Sequence, residues 1–279
     1  MSGGCVTDSD LLENAATAAC SKAADRQALR VHYDMKMAQV NPLNARNRLI
    51  VALDAPDAAA ALALVDQLDN TVAWFKVGLE LFIAAGPSVI EPLLKRGHSV
   101  FLDLKLCDIP NTVAAAVRSA GTLGVQMLTV HASGGPAMLA AAQNALGGLS
   151  SPTQLLAVTV LTSMDQAQLY ATGVERTPAQ QVELLVRMGL DAGINGFVCS
   201  PQEVSAVRQL TGPNGVLVIP GIRPTGASVG DQKRTATPAQ AIHEGASFLV
   251  VGRPITQAAH PAQAAEAILN EMAEACSPL

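Results

Sequence analysis

The stretch Asp103-Leu-Lys105-Leu-Cys-Asp108-Ile-Pro110-Asn111-Thr112 places one ammonium between two carboxylates. Such a set can hold or donate a proton and can stabilise a charge that develops beside it. For Asp103 and Lys105 alone a structural ion pair would explain the spacing equally well. Asp108 and the Pro110-Asn111-Thr112 continuation make the string long and specific. Other polar residues stand at the ends of short apolar runs: Asp54, Lys76 before Gly78, His131, Thr162 with Ser163, Arg223, and Gly252 with Arg253. Any one of them could be a solvated loop residue.

Those runs are rich in β-branched residues and read as strands: Leu49–Leu53, Ala73–Val77, Ser99–Leu104, Met127–Val130, Leu155–Val160, Gly196–Cys199, Val216–Ile219 and Phe248–Val251. Helical patterns fill the gaps, among them Asp57–Leu68, Val113–Leu123, Pro136–Ala145, Ala179–Ala192 and Pro261–Ala275. Strands alternating with helices imply right-handed β-α-β units and a parallel sheet. Eight such units suit a closed (β/α)8 TIM barrel. An open doubly wound sheet is the alternative, but no Gly-x-Gly-x-x-Gly follows the first strand.

In a TIM barrel the active site lies at the C-terminal mouth, so the polar strand ends are expected on one rim. Side chains alternate along a strand, so Asp103 and Lys105 are expected to face the axis while Leu102 and Leu104 face the helices. The opposite arrangement would bury bare charges in apolar packing.

The barrel is expected to occupy residues 47–279. Residues 1–46 are polar and small, with at most a weakly amphipathic helix around Leu11 to Ala19, and read as a poorly ordered N-terminal extension. Met35 and Met37 lie within it and fit a later start.

Hydrophobic residues make up 49% of the chain and aromatics 3%, so Val, Leu, Ile and Ala must fill most of the core. A net charge of -5 argues against a nucleic-acid partner but leaves room for a local cationic pocket. The five cysteines (Cys5, Cys20, Cys107, Cys199, Cys276) are scattered, which suits neither a disulfide framework nor a zinc site. No apolar run approaches a membrane span, and no secretory signal opens the chain. The cytoplasm is the expected compartment.

The string Asp-x-Lys-x-x-Asp-Ile-Pro-Asn-Thr strongly resembles the catalytic segment of orotidine 5'-monophosphate decarboxylases. Further blocks agree in order: Leu53-Asp54, Phe75-Lys76-Val77-Gly78, Thr159-Val160-Leu161-Thr162-Ser163, Pro220-Gly221-Ile222-Arg223-Pro224, Gly230-Asp231-Gln232 and Val251-Gly252-Arg253-Pro254. The resemblance covers about Arg48 to Met272. It implies a homodimeric enzyme that converts orotidylate to uridylate with neither metal nor organic cofactor.

The resemblance also implies roles. Lys76, Asp103, Lys105 and Asp108 form an alternating charge array at pyrimidine C6, and Lys105 protonates the carbanion. Asp54 and Lys76 hold the ribose hydroxyls, and Thr162 and Arg223 line the base and phosphate ends. Asp103 and Thr112 join the substrate-binding set. Gly252, Arg253 and Gln232 receive the 5'-phosphate, and Gly221–Arg234, rich in Gly and Pro, is expected to act as a lid. Asp108 is expected to serve the partner's active site.

A metal-dependent sugar-phosphate decarboxylase, aldolase or epimerase shares the Asp-x-Lys-x-x-Asp skeleton and is the nearest rival. A barrel that only binds phosphorylated ligands is another, though the complete Lys76, Asp103, Lys105 and Asp108 set argues against it. His131 reads as structural, and His98, His243 and His260 read as surface residues. Met127, Met164 and Met188 read as core filler.

Overall fold

A computed structural model describes residues 45–149, 151–224 and 234–276. Its strands are β1 (Leu49–Leu53), β2 (Trp74–Gly78), β3 (Ser99–Leu106) and β4 (Met127–His131), then β5 (Gln154–Val158), β6 (Gly196–Val198), β7 (Val216–Ile219) and β8 (Phe248–Val251). Each pairs in parallel with the next, and β8 returns to β1, closing the barrel in sequence order. The (β/α)8 expectation therefore holds, and the open-sheet alternative falls. Arg48 reinforces the closure beneath β1, donating to the carbonyls of Ala246 (2.6 Å) and Ser247 (3.0 Å) ahead of β8.

Strand alternation sorts the apolar residues into two cores. Outward residues such as Val51, Phe75, Leu102 and Leu128 pack beneath the helices in one continuous layer. Inward residues, including Ile50, Trp74, Phe101, Leu156, Val218 and Phe248, fill the barrel itself. Although aromatics are scarce, three of them are spent inside, and Trp74 meets Phe248 edge to face at 5.2 Å.

Boundaries shift from the sequence reading where local chemistry intervenes. The helix expected from Val113 starts at Pro110, whose missing N–H costs nothing in the first turn. Helix 178–191 starts on a capping box between Thr177 and Gln180. Strand β5 ends at Val158, two residues early, although the Thr159 N–H and hydroxyl still donate to the Val198 carbonyl of β6. His98 is buried, contrary to its surface reading: Asp69 Oδ1 accepts from Nε2 (2.7 Å) and Phe75 packs against the ring edge-on.

Most of the expected N-terminal extension lies outside the described residues; Ala45 and Arg46 join Asn47 in a 3-10 turn, with Ala45 buried. No helix among the described residues is long and apolar enough to cross a membrane.

Candidate active site

The inward positions one step beyond the apolar barrel core are the polar ones. Ile50 and Ala52 lead to Asp54, Trp74 to Lys76, Phe101 to Asp103, and Met127 to Thr129. Because parallel strands all run toward the same end, these side chains converge at the C-terminal mouth. Lys76 Nζ lies 3.0 Å from Asp54 Oδ1 and 3.8 Å from Asp103 Oδ2. Lys105 Nζ donates to both oxygens of Asp103, at 2.9 and 2.8 Å. The result is a row of alternating charge, Asp54–Lys76–Asp103–Lys105, whose middle members, Lys76 and Asp103, are the most enclosed.

The row borders a cavity of about 270 Å³ lined by Lys76, Asp103, Lys105, Thr162, Ser163 and Pro220, with Phe101 and Val250 among its apolar lining. Charges in so enclosed a space interact more strongly than in water. Lys105 does not follow the alternation by which it was placed. Its φ is +50°, and the β3–β4 register slips between Leu102 and Leu106, yet its ammonium still reaches Asp103.

Two groups in this region escaped the sequence reading. Thr129 is fully buried and donates its hydroxyl to Asp103 Oδ1 at 2.9 Å, while the Lys105 N–H donates to Thr129 Oγ1 at 2.9 Å. Its inward position on β4, between Met127 and His131, was the available signal. The second group is a buried ion pair between Arg234 and Glu203, with Ser200 donating to the same carboxylate. Arg234 also donates to the carbonyls of Val160 (3.2 Å) and Leu161 (2.9 Å), holding the cavity wall that continues to Thr162. No local motif connects residues so far apart in the chain.

Burial, then repulsion by Lys105, lowers the pKa of His131, so the half-buried imidazole at the end of β4 favours its neutral form. Burial, then Glu203, pushes the Cys199 thiol far up, and this cavity-lining group stays protonated. Among the described residues no three of His, Cys, Asp or Glu are grouped as metal ligands.

This barrel and charge row coincide with a family assignment. A family model described as orotidine 5'-phosphate decarboxylase / HUMPS matches residues 47–268. The chain belongs to that family. An orotidine 5'-phosphate decarboxylase of Moorella thermoacetica is 48% identical over 244 residues, covering 85% of this chain and 97% of the relative. One of Nitrosococcus oceani is 51% identical over 227 residues, covering 81% and 98%. The crystal structure of the Lactobacillus acidophilus orotidine 5'-phosphate decarboxylase aligns at a TM-score of 0.72 and 39% identity, covering 81% of this chain and 99% of that one.

The remaining residues suggested by the family motifs are spread around the rim. Thr162 lines the cavity; Asp54, Arg223, Gly252 and Arg253 do not. Arg223 and Arg253 stand after β7 and β8, close enough that Arg253, after burial, lowers the pKa of Arg223. A Cβ on Gly252 would meet Ala52 Cβ at 3.6 Å and Asp54 Oδ2 at 3.7 Å, ordinary contacts, so packing alone does not require glycine there. Asp108 is exposed outside the cavity, accepting the Ile109 N–H at 2.6 Å, and Thr112 is exposed in the first helical turn. Within a single chain neither joins the charge row. Gln232 lies outside the described residues, as does most of the expected lid.

Proposed function

We propose that this chain decarboxylates orotidine 5'-monophosphate to uridine 5'-monophosphate and CO2, the step that completes UMP synthesis. The observation that carries the reading is the Asp54–Lys76–Asp103–Lys105 row at the edge of an enclosed cavity. The C6–carboxylate bond breaks, CO2 leaves, and the electron pair remains at C6. Lys105, held beside Asp103, stabilises that pair and donates its proton to C6. Asp103, set against the departing carboxylate, disfavours the bound ground state relative to the transition state. The acceleration required of such a site is on the order of 20 kcal/mol.

Asp54 and Lys76 suit the ribose hydroxyls, and Thr162 the base. Arg223, Arg253, Gly252 and Gln232 suit the 5'-phosphate, which the TIM barrel commonly receives after its last two strands. Binding energy from that remote group can then be used in the transition state. Asp103 and Thr112 complete the substrate-binding set, and the chemistry calls on neither metal nor organic cofactor.

The same reading makes the enzyme a cytoplasmic homodimer in which Asp108 and the Ile-Pro-Asn-Thr turn reach the partner's site. Its support is Asp108's position outside the chain's own cavity, next to Ile109, 66% exposed. Leu79 and Ile83, after the neighbouring strand β2, are 50% and 80% exposed and are further apolar side chains of the kind such an interface would cover. Purified protein in excess chelator should bleach orotidylate absorbance and release stoichiometric uridylate. Turnover that vanishes with chelator and returns with Mg2+ would favour the metal-dependent relatives.

A further inference from the structure

The ladder between β3 and β4 is broken at the catalytic segment. Phe101 pairs with Met127 and Leu102 with Leu128, but pairing resumes only at Leu106 with Val130, so β3 uses four residues where β4 uses two. Lys105 sits inside that bulge at φ +50°, the one non-glycine residue at positive φ among the described residues. Side chains with a Cβ seldom take this conformation, and residues that do are held there by their surroundings.

The hold is a closed ring of hydrogen bonds. Thr129 Oγ1 accepts the Lys105 N–H at 2.9 Å in place of a ladder partner. A hydroxyl has a single proton, and this one goes to Asp103 Oδ1 at 2.9 Å. The same Oδ1 accepts from Lys105 Nζ at 2.9 Å, returning the ring to its starting residue. One fully buried hydroxyl thus fixes the backbone of Lys105 and the rotamer of Asp103 together.

We propose that Thr129 is a positioning residue for the decarboxylation, holding Lys105 in its left-handed conformation so that ammonium and Asp103 carboxylate meet the substrate in one geometry. The proposal rests on the decarboxylase reading above. It differs from a packing role, because the hydroxyl rather than the methyl does the positioning.

Thr129→Val keeps the shape and deletes the hydroxyl; Thr129→Ser keeps the hydroxyl and deletes the methyl. In Thr129→Val, kcat should fall about 10- to 100-fold, the loss expected for a displacement of up to roughly 1 Å. Uridylate, which has no carboxylate to lose, should bind either variant within about threefold of wild type. Thr129→Ser should retain kcat within about threefold, since it preserves both hydrogen bonds. In labelled protein the Lys105 amide should exchange with solvent at least about tenfold faster in Thr129→Val than in wild type, having lost its acceptor.

Wild-type kcat in Thr129→Val would overturn the proposal. So would a kcat loss in Thr129→Ser beyond about tenfold with uridylate binding intact, a result that stands even if Thr129→Val does not fold. If the wild type itself fails to turn over orotidylate, the decarboxylase reading falls. The amide-exchange comparison then still decides whether Thr129 holds the Lys105 backbone.

Discussion

Gly78 offers a test of the charge row in which the titrated residues themselves stay unchanged. It ends β2 with φ -94° and ψ -175°, a conformation open to alanine, so the backbone resists nothing in Gly78→Ala. The new Cβ, however, would lie 2.7 Å from Lys76 Nζ and 3.4 Å from Asp54 Oδ1. Carbon and nitrogen do not tolerate 2.7 Å, and ordinary contact begins near 3.4 Å. The ammonium must therefore retreat by about 0.7 Å or swing away, since it is the far end of a flexible side chain. It has little room to do so while keeping Asp54 at 3.0 Å and facing Asp103 at 3.8 Å.

Displacements of this size in a preorganised site cost up to about a hundredfold in rate. Gly78→Ala should accordingly lower kcat/KM for orotidylate by about 10- to 100-fold, or roughly 1.4 to 2.7 kcal/mol of transition-state stabilisation. Global stability should change by no more than about 1 kcal/mol, because the strain is relieved at the mouth and the unfolded chain loses entropy. Steady-state kinetics alongside a thermal melt would measure both. An unchanged kcat/KM would show that the Lys76 ammonium does not occupy the place on which the mechanism depends.

Arg253→Ala should weaken uridylate binding by about 10- to 100-fold and uridine binding hardly at all, since a guanidinium–phosphate contact matters only when phosphate is present. Equal losses in calorimetry would move Arg253 off the phosphate. Lys105→Ala and Asp108→Asn should each be nearly inactive, yet random exchange of equal amounts should restore about a quarter of wild-type activity. Verified subunit exchange without recovery would show that Asp108 serves its own chain. Glu203→Ala strands the buried Arg234 guanidinium, so denaturant unfolding should report a loss of about 3–5 kcal/mol. A loss below about 1 kcal/mol would mean that Arg234 finds solvent.

The fold was legible because a parallel barrel writes its repeat into the chain as apolar strand, polar strand end, helix. β1, β7 and β8 match the sequence reading at both ends, and the helices move by only a few residues. Asp54, Lys76 and Asp103 were also legible, since period-two alternation from Ile50, Trp74 and Phe101 carries them inward. Residues whose roles depend on long-range partners were not. Thr129, inside Met-Leu-Thr-Val-His, looks like an ordinary β-branched strand residue until Asp103 is seen beside it. Arg234 and Glu203 meet only through folding, and His98 is covered by Asp69 and Phe75 from separate segments.

Lys105 shows why the partial failure falls at the site. Regular alternation would bring its ammonium to the axis on a backbone set by the ladder, one step along from Asp103. The bulge instead turns the residue back, so that its Nζ lies within 2.9 Å of both oxygens of the preceding inward carboxylate. A flat strand gives a row of side chains at fixed spacing, whereas the proposed protonation of C6 would need the Lys105 ammonium and the Asp103 carboxylate to converge on one place. Breaking the ladder achieves that convergence, and it leaves a backbone N–H that the buried Thr129 hydroxyl must satisfy. The local rule gives way at the bulge, and alternation on β4 places the compensating hydroxyl inward without showing which backbone N–H it must satisfy.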